Sequence, residues 1–217
     1  MNTETMNEFF KSRVNGYDEH MLNKVDGCRE GYQKMAELLP EHPEALLDLG
    51  CGTGLELDEI FRLHPAVAVT GVDLTRAMLD QLKKKHPDKK LVLMEENYLQ
   101  CDFGSDRFDA AVSFETMHHF ARAEKVKLYE KICRALRPNG TYIECDYMVT
   151  DPAEEEFLLR EAERIRAEQH LQDGKIYHID IPYTVEHQVQ MLKEAGFPKT
   201  EALWRMGNTT IVRAEKG

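Results

Sequence analysis

The chain has 217 residues, of which 42% are hydrophobic and 31% are charged, and its formal net charge at pH 7 is −11. This size and composition are ordinary for one soluble globular domain, and the negative charge disfavours binding to a nucleic-acid backbone. No apolar run approaches the roughly 18 residues that a membrane-spanning helix needs, so we expect no membrane segment.

The N-terminal part of the chain has a helical pattern. Apolar side chains recur at helical spacing through residues 1–43, and Pro40 and Pro43 then interrupt the pattern. We therefore expect residues 1–43 to form a helical cap on a main domain over residues 44–217, in what is effectively a single-domain protein.

Short apolar runs and helical segments alternate through the middle of the chain. Strands are predicted at 45–50, 67–73, 90–94, 108–114 and 141–148, and helices at 54–63, 76–86 and 122–136. Asn139-Gly140 is expected to end the last of these helices. This alternation predicts a doubly wound α/β fold, with a mostly parallel sheet covered by helices on both faces.

The pattern changes after Pro152. Residues 153–172 are predicted to form a charged helix, and residues 174–184 an irregular connector. The apolar stripe of the helix is expected at Phe157, Leu158, Ile165 and Leu171. We interpret residues 153–183 as a lid or an insertion that binds substrate.

The C-terminal segment is predicted to complete the sheet. A helix at 185–195 ends at Gly196, and two strands follow near 200–206 and 209–214. Because only Gly207-Asn208 joins these strands, they predict an antiparallel hairpin. The sheet is therefore expected to have seven strands.

The segment LLDLGCGTG, residues 46–54, is the strongest functional signal. An apolar strand runs into a glycine-rich turn that precedes a helix, so backbone N–H groups can closely approach a ligand. Asp73 ends the next strand about 20 residues later, where an acid in this fold class binds ribose hydroxyls. These features predict a nucleoside-binding crevice. The alternative is a glycine turn that only packs a helix onto the sheet.

The glycine spacing distinguishes between nucleoside cofactors. The dinucleotide fingerprint is GxGxxG, whereas Gly50, Gly52 and Gly54 are spaced GxGxG after the acid Asp48. Here the sequence resembles the class I S-adenosylmethionine-dependent methyltransferases, closely over residues 45–148 and loosely elsewhere. The resemblance implies a Rossmann-like fold, S-adenosylmethionine as cofactor and methyl transfer as the activity.

The resemblance also implies roles for individual residues. The loop at 50–52 would lie under the methionine part of the cofactor, with Asp48 near the methionine amino group. Asp73 would bind both ribose hydroxyls. Leu74 and Tyr98 would cover the adenine and Asn97 would contact its amino group, while Tyr17 would close the pocket unless it is a core residue. The complete set is Tyr17, Asp48, Gly50, Cys51, Gly52, Gly54, Asp73, Leu74, Asn97 and Tyr98.

Polar residues at the ends of the fourth and fifth strands are placed to assist methyl transfer. The acceptor must be aligned, water excluded and, for some acceptors, a proton removed. Glu115, His118 and His119 follow the fourth strand, and one of them is expected to act as a base. Asp146, near the tip of the fifth strand, is expected to bind substrate. Alternatively, one histidine caps the following helix or packs on the cofactor, and the other is solvated.

Several acidic and histidine residues could also bind a metal ion. Carboxylate and imidazole side chains suit several first-row metals. Candidates from separate segments are Glu115, His118, His119, Asp146, His178 and Asp180. Spacing does not show whether they converge, so the sequence assigns no metal.

The sequence also predicts the partners of the protein and leaves two alternative functions. We expect a small-molecule acceptor, a monomer or homodimer, and neither nucleic acid nor membrane as partner. A nicotinamide-dependent oxidoreductase would carry GxGxxG and a Tyr-x-x-x-Lys pair, but Cys133 lies four residues after Tyr129. A non-catalytic S-adenosylmethionine-binding module remains the third alternative.

The expected location follows from the cysteines and the N-terminal residues. The five cysteines are odd in number and lack Cys-x-x-Cys spacing, which argues against a disulfide framework or a zinc site. The segment MNTETMNEFFKSR lacks the charged-then-apolar order of a signal peptide. We therefore expect a cytoplasmic protein.

Overall fold

A seven-stranded sheet with helices on both faces forms the centre of the computed structural model, which describes residues 3–172 and 174–217. The strands are β1 (Ala45–Leu49), β2 (Ala68–Asp73), β3 (Leu91–Glu95), β4 (Phe108–Phe114), β5 (Leu136–Tyr147), β6 (Lys199–Met206) and β7 (Thr209–Glu215). The helices are α1 (Met6–Arg13), α2 (Tyr17–Lys24), α3 (Cys28–Leu38), α4 (Leu55–Leu63), α5 (Arg76–Lys85), α6 (Arg122–Ala135), α7 (Pro152–Glu168) and α8 (Val185–Glu194).

The strand order is β3-β2-β1-β4-β5-β7-β6. Strands β1 to β5 are parallel, and β7 runs antiparallel to both β5 and β6. The predicted doubly wound sheet with a C-terminal antiparallel hairpin is therefore confirmed. The chain order reverses between β1 and β4, and ligands bind at such a switch point, outside the carboxyl ends of the strands.

Alternating side chains bury both faces of the central strands. Leu46 packs into the apolar layer that includes α3, α4 and α5, whereas Leu47 packs into the layer that includes α6 and α8. Both residues are fully buried. Burial on both faces explains why these strands are continuous apolar runs, and it fixes the direction in which each strand end points.

Helix α6 ends within one residue of the bound predicted at 136, but the next strand begins earlier than predicted. The helix stops at Ala135 and β5 begins at Leu136 instead of 141, so Asn139-Gly140 lies inside the strand and does not break the helix. Pro138 explains the difference because proline lacks an N–H group and disfavours helical geometry in the preceding residue. Asn139, with φ +63°, instead lies within the bounds of β5.

The predicted apolar stripe of α7 is correct in part, because Ile165 and Leu171 pack as expected. Phe157 is 62% exposed, so its assignment to the packed face is wrong. Leu159, Ala162 and Ile165 pack on the connector, with Ile165 as predicted. Phe157 precedes Leu159 by two residues, a rotation of about 200° around the helix. In the described parts of the chain, no helix is long and apolar enough to cross a membrane.

Candidate functional site

The turn between β1 and α4 has a left-handed backbone at its glycines. The φ angle is +71° at Gly50 and +46° at Gly52, a region that L side chains rarely adopt. A Cβ atom at Gly50 would lie 2.7 Å from Thr116 Oγ1. At Gly52 the nearest atoms to such a Cβ are 3.9 Å away, and one of them is Tyr17 Cε1. The backbone at Gly52 is therefore open toward Tyr17.

Asp73 holds this turn in place from the end of β2. Its Oδ2 accepts a hydrogen bond from Gly52 N at 3.0 Å, and its Oδ1 accepts one from Thr75 N at 2.7 Å. Burial raises the pKa of Asp73 to about 6, although the hydrogen bonds from Thr75 and Gly52 act in the opposite direction. Each carboxylate oxygen can accept a second hydrogen bond, so Asp73 can still bind hydroxyl groups.

A narrow cavity of about 40 Å³ lies beside Asp73. The predicted cofactor residues Leu74 and Tyr98 line it, and the Tyr98 hydroxyl lies 2.7 Å from Thr116 Oγ1. Small-molecule sites usually measure about 300–1,000 Å³. The cavity is therefore narrower in this conformation than most small-molecule sites.

Helices α1 and α2 form one side of the cavity wall, which we call the roof. Met6, Phe10 and Tyr17 line the cavity, and the Phe10 and Tyr17 rings meet edge to face at 5.9 Å. The Phe9 ring stacks on His178 with the centroids 3.5 Å apart. The roof and the connector are thus in direct contact.

A buried acidic pair lies below the glycine turn. Asp48 in β1 and Glu56 in α4 are 1% and 5% exposed. The two carboxyl groups hydrogen-bond to each other, and among the described residues no N–H group is bonded to the carboxyl group of Asp48. Burial raises the pKa of Asp48 to about 7, and burial together with the Asp48 charge raises the pKa of Glu56. Such a pair attracts a cationic group.

Two predicted cofactor residues face elsewhere. The Cys51 side chain packs against Gly71, where a Cβ would lie 2.8 Å from the sulfur, so only the Cys51 backbone faces the turn. Asn97 Oδ1 accepts a hydrogen bond from Leu99 N at 2.9 Å, and Asn97 lines a different cleft of about 840 Å³. Contact between Asn97 and adenine stays a prediction.

A larger cleft of about 640 Å³ adjoins the narrow cavity. We call it the acceptor cleft. Phe10, Tyr17 and Glu115 line both spaces, and His118 and His119 line the cleft. The cleft therefore meets the cavity at a carboxylate and two aromatic rings.

Glu115 sits at this junction in a strained backbone conformation. Its φ is +48°, and its backbone N donates a hydrogen bond to Cys145 O at 2.8 Å. The carboxylate accepts a hydrogen bond from the Thr209 hydroxyl at 3.3 Å. Burial raises the pKa of Glu115 to about 7, with His118 acting in the opposite direction. Strain of this kind persists where the surrounding structure holds a functional group in position.

His118 and Asp146 form a buried pair. His118 Nδ1 lies 2.6 Å from Asp146 Oδ1, a distance that defines a hydrogen bond. Burial alone would lower the pKa of His118, but Asp146 and the nearby carboxylates raise it to about 9. Among the residues that the structure describes, Asp146 Oδ2 has no hydrogen-bond partner. The structure thus joins two predicted catalytic residues from different strand ends.

His119 lies beside Asp180 of the connector. Its Nδ1 is 3.3 Å from Asp180 Oδ1 and 3.2 Å from the Ile179 carbonyl oxygen. Burial and the neighbouring His118 lower the pKa of His119 to about 4. Burial alone would raise the pKa of Asp180, but the imidazoles around it hold that pKa well below its usual range.

Four residues of the site were not predicted from the sequence. Met6 and Phe10 line the cavity, Thr116 bonds to Tyr98, and Glu56 pairs with Asp48. Glu56 carried a usable signal because it lies between two leucines in the first turn after the glycine loop. The other three depend on packing between distant segments, which no local pattern reports.

The switch-point cavity, the glycine turn and Asp73 together define a nucleoside-binding α/β protein. Residues 46–140 match the family model described as "Methyltransferase domain". A carboxy-S-adenosyl-L-methionine synthase of Nautilia profundicola is 22% identical, over 93% of this chain and 91% of that protein. The family match and these relatives support the resemblance to the class I S-adenosylmethionine-dependent methyltransferases that the sequence predicted. Its cofactor is S-adenosylmethionine, as predicted.

Two further comparisons show the breadth of the likeness. A sterol 24-C-methyltransferase of Gibberella zeae is 29% identical, over 70% of this chain but 39% of that protein. The fold matches human N-acetylserotonin methyltransferase in complex with S-adenosylmethionine, with a TM-score of 0.65 and 17% identity over 88% of this chain. The chain spans 52% of the length of that solved protein. The predicted methyltransferase class is confirmed, and the nicotinamide alternative is not favoured.

Proposed function

We propose that the chain transfers the methyl group of S-adenosylmethionine to a small molecule bound in the acceptor cleft. The observation that carries this proposal is the junction, where Phe10, Tyr17 and Glu115 line both the nucleoside cavity and the cleft. An acceptor lone pair there attacks the methyl carbon while the sulfonium sulfur leaves with the electrons of the broken bond. The products are the methylated acceptor and S-adenosylhomocysteine.

Each part of the cofactor is bound by a different set of residues around the cavity. Asp73 binds the ribose hydroxyls, and Leu74 and Tyr98 pack on the adenine. The backbone of residues 50–52 lies under the methionine part, and the buried Asp48 attracts the ammonium group. Gly54, with φ +76°, lets α4 begin directly after the turn. The buried acidic pair of Asp48 and Glu56 and the space beside Gly52 support this arrangement.

Glu115 is the group proposed to take the proton of the acceptor. Of the four predicted catalytic residues, it lines both the cavity and the cleft, so its carboxylate is next to the path of the methyl group. His118 and His119 line the cleft and are proposed to bind the acceptor, and the buried Asp146 holds the His118 ring from behind. A base has to lie within hydrogen-bond reach of the proton that it removes.

The remaining predictions concern access and partners. The roof and the connector are proposed to open together, with the insertion over residues 153–183 acting as the lid. A cleft of about 640 Å³ suits a small molecule, and the net charge of −11 disfavours nucleic acid. We also propose that the protein is cytoplasmic and that it is a monomer or a homodimer.

A product analysis tests the function. The protein is incubated with S-adenosylmethionine and a metabolite library, and the products are identified by mass spectrometry. S-adenosylhomocysteine together with a methylated acceptor supports the proposal. Cofactor binding without turnover would point to a non-catalytic module. A heavier derivative of the cofactor itself would point to an activity like that named for the carboxy-S-adenosyl-L-methionine synthases.

Alanine variants of Gly52 and Gly54 distinguish a glycine that contacts the cofactor from one that is needed for packing. Gly52→Ala is expected to weaken cofactor binding more than Gly54→Ala, because Gly52 faces the cavity whereas a Cβ at Gly54 would collide with Leu82. Both variants carry the left-handed backbone penalty of about 1–2 kcal/mol. Gly54→Ala should lose more stability. Calorimetric affinity and thermal unfolding of both variants measure the two effects, and the reverse order would contradict the assignment of Gly52.

The pH dependence of cofactor binding should report the ionisation of Asp73. With a raised pKa of about 6, Asp73 is ionised at pH 7.5 and mostly protonated at pH 5. Because the ionised form accepts the ribose hydrogen bonds, affinity should fall by up to about tenfold across this range. Asp73→Asn removes this titration, so its affinity should change less with pH. Equal slopes for both proteins would show that another group is responsible.

A further inference from the structure

We infer that His118, His119 and Asp180 bind a divalent first-row transition-metal ion in the wall of the acceptor cleft. These three residues come from the turn after β4 and from the connector, and a potential ligand atom of each lies within 4.8 Å of those of the other two. The consequence for catalysis rests on the proposed function, but metal binding itself does not.

The distances match those within a coordination sphere. Asp180 Oδ1 lies 3.7 Å from His118 Nε2 and 3.3 Å from His119 Nδ1. Nitrogen and oxygen ligands lie about 2.1 Å from such an ion, so two ligands are about 3.0 Å apart at a right angle and about 3.4 Å apart at a tetrahedral angle. The three atoms can therefore surround one ion after small side-chain adjustments.

Asp146 sets the orientation of His118. At 2.6 Å, the His118 Nδ1–H group donates to Asp146 Oδ1, so an ion that displaces the Nε2 proton meets the lone pair on Nε2. That nitrogen is the one nearest Asp180. A carboxylate behind a ligating histidine is the usual means of fixing the tautomer at metal sites. The alternative set of Glu115, His118 and Asp146 would break the 2.6 Å bond from His118 Nδ1 to Asp146, whereas the favoured set gives up only the longer contact of 3.2 Å from His119 Nδ1 to Ile179 O.

The charge around the site also favours a cation. The carboxylates of Glu115, Asp146 and Asp180 approach the two imidazoles, and Oδ2 of Asp146, which is 1% exposed, is unpartnered among the described residues. The Ile179 carbonyl oxygen, 3.2 Å from His119 Nδ1, offers a further ligand. A dication that displaces the His118 proton would offset the charge of the buried Glu115 and Asp146 carboxylates.

The donor set determines the class of metal and of acceptor. Two imidazoles and one carboxylate suit Mn²⁺, Fe²⁺, Co²⁺, Ni²⁺ or Zn²⁺ better than Mg²⁺ or Ca²⁺, which prefer oxygen ligands alone. Three protein ligands leave positions open toward the cleft. A hydroxyl group bound there becomes more acidic, so the preferred acceptor would be a small molecule with a metal-binding oxygen next to Glu115.

Titration with Co²⁺ tests the site without requiring turnover. The chelator-treated protein is titrated in a calorimeter and a spectrophotometer, and we expect one Co²⁺ per chain with visible d–d bands. Asp180→Asn, at a half-exposed side chain, and His119→Ala should weaken binding at least tenfold. Asp146→Asn should weaken it by about 10–100-fold through the orientation of His118. The matched control is His20→Ala, at a histidine that lines the same cleft outside the cluster.

The possible outcomes are distinct. Wild-type affinity in both Asp180→Asn and His119→Ala would overturn the site, as would a thiolate charge-transfer band, which would place the ion on a cysteine. Cofactor affinity is measured for each variant in parallel. If Co²⁺ binds and S-adenosylmethionine does not, the proposed function fails and the metal site stands; the converse result removes the metal site alone.

Discussion

Replacing Asp73 with alanine is expected to weaken S-adenosylmethionine binding by about 10–100-fold, the equivalent of one or two charge-assisted hydrogen bonds. The variant loses the acceptors for the ribose hydroxyls. It also loses the bonds from Gly52 N and Thr75 N that hold the turn in position. Isothermal titration calorimetry of wild type and variant, at one pH, measures the change.

Two control variants show whether the loss of affinity is specific to the Asp73 carboxylate. Asp80→Ala removes an aspartate from the exposed face of α5, where it pairs with Arg76, and should leave cofactor affinity unchanged. Asp73→Asn keeps one acceptor oxygen, so its affinity should lie between those of wild type and Asp73→Ala. If all of these proteins bind the cofactor equally, Asp73 does not hold the ribose and the assignment of the nucleoside cavity is wrong.

The parts of this site that follow from local sequence could be predicted. The strand, the glycine turn, the following helix and the acid on the next strand obey short-range rules, because strand ends in a parallel sheet meet at one edge. Glycine spacing reports backbone geometry directly, and positive φ angles occur at Gly50, Gly52 and Gly54. The cofactor class followed from the same residues.

Contacts between distant segments could not be predicted in the same way. His118 pairs with Asp146 across 28 residues, and His119 lies near the Ile179 carbonyl across 60 residues. Alternation within β5 predicts the face on which Asp146 lies, but not the ring that it meets. The connector has no periodic pattern, so its position against the roof depends on the Phe9–His178 stack and on the hydrogen bond from His178 N to Glu4 O.

Asn97 and Phe157 show two further limits of local patterns. An asparagine after a strand suits a ligand contact, but its short side chain can also bond to the backbone two residues ahead, as Asn97 does with Leu99 N. In α7 many charged residues leave several stripes with similar apolar content. Packing on the connector selects the stripe that contains Leu159 and Ala162, and Phe157 stays exposed.

Glu115→Gln is expected to lower kcat by about 10²–10⁴-fold for an acceptor that must lose a proton, the range that a general base contributes. Glutamine has the same size as glutamate and retains an oxygen that can accept the hydrogen bond from Thr209. It cannot take up a proton at neutral pH. Affinity for S-adenosylmethionine should therefore stay close to that of wild type, and KM for the acceptor should change far less than kcat.

Steady-state kinetics with an acceptor from the product screen, together with calorimetry, separate these effects. Glu19→Gln, at an exposed glutamate of α2, is the matched control and should behave as wild type. An unchanged kcat in Glu115→Gln would place the base elsewhere or show that the acceptor needs none. Parallel loss of kcat and cofactor affinity would instead mean that Glu115 supports the junction. A loss confined to kcat is expected only if its carboxylate meets the acceptor where the cleft joins the cavity.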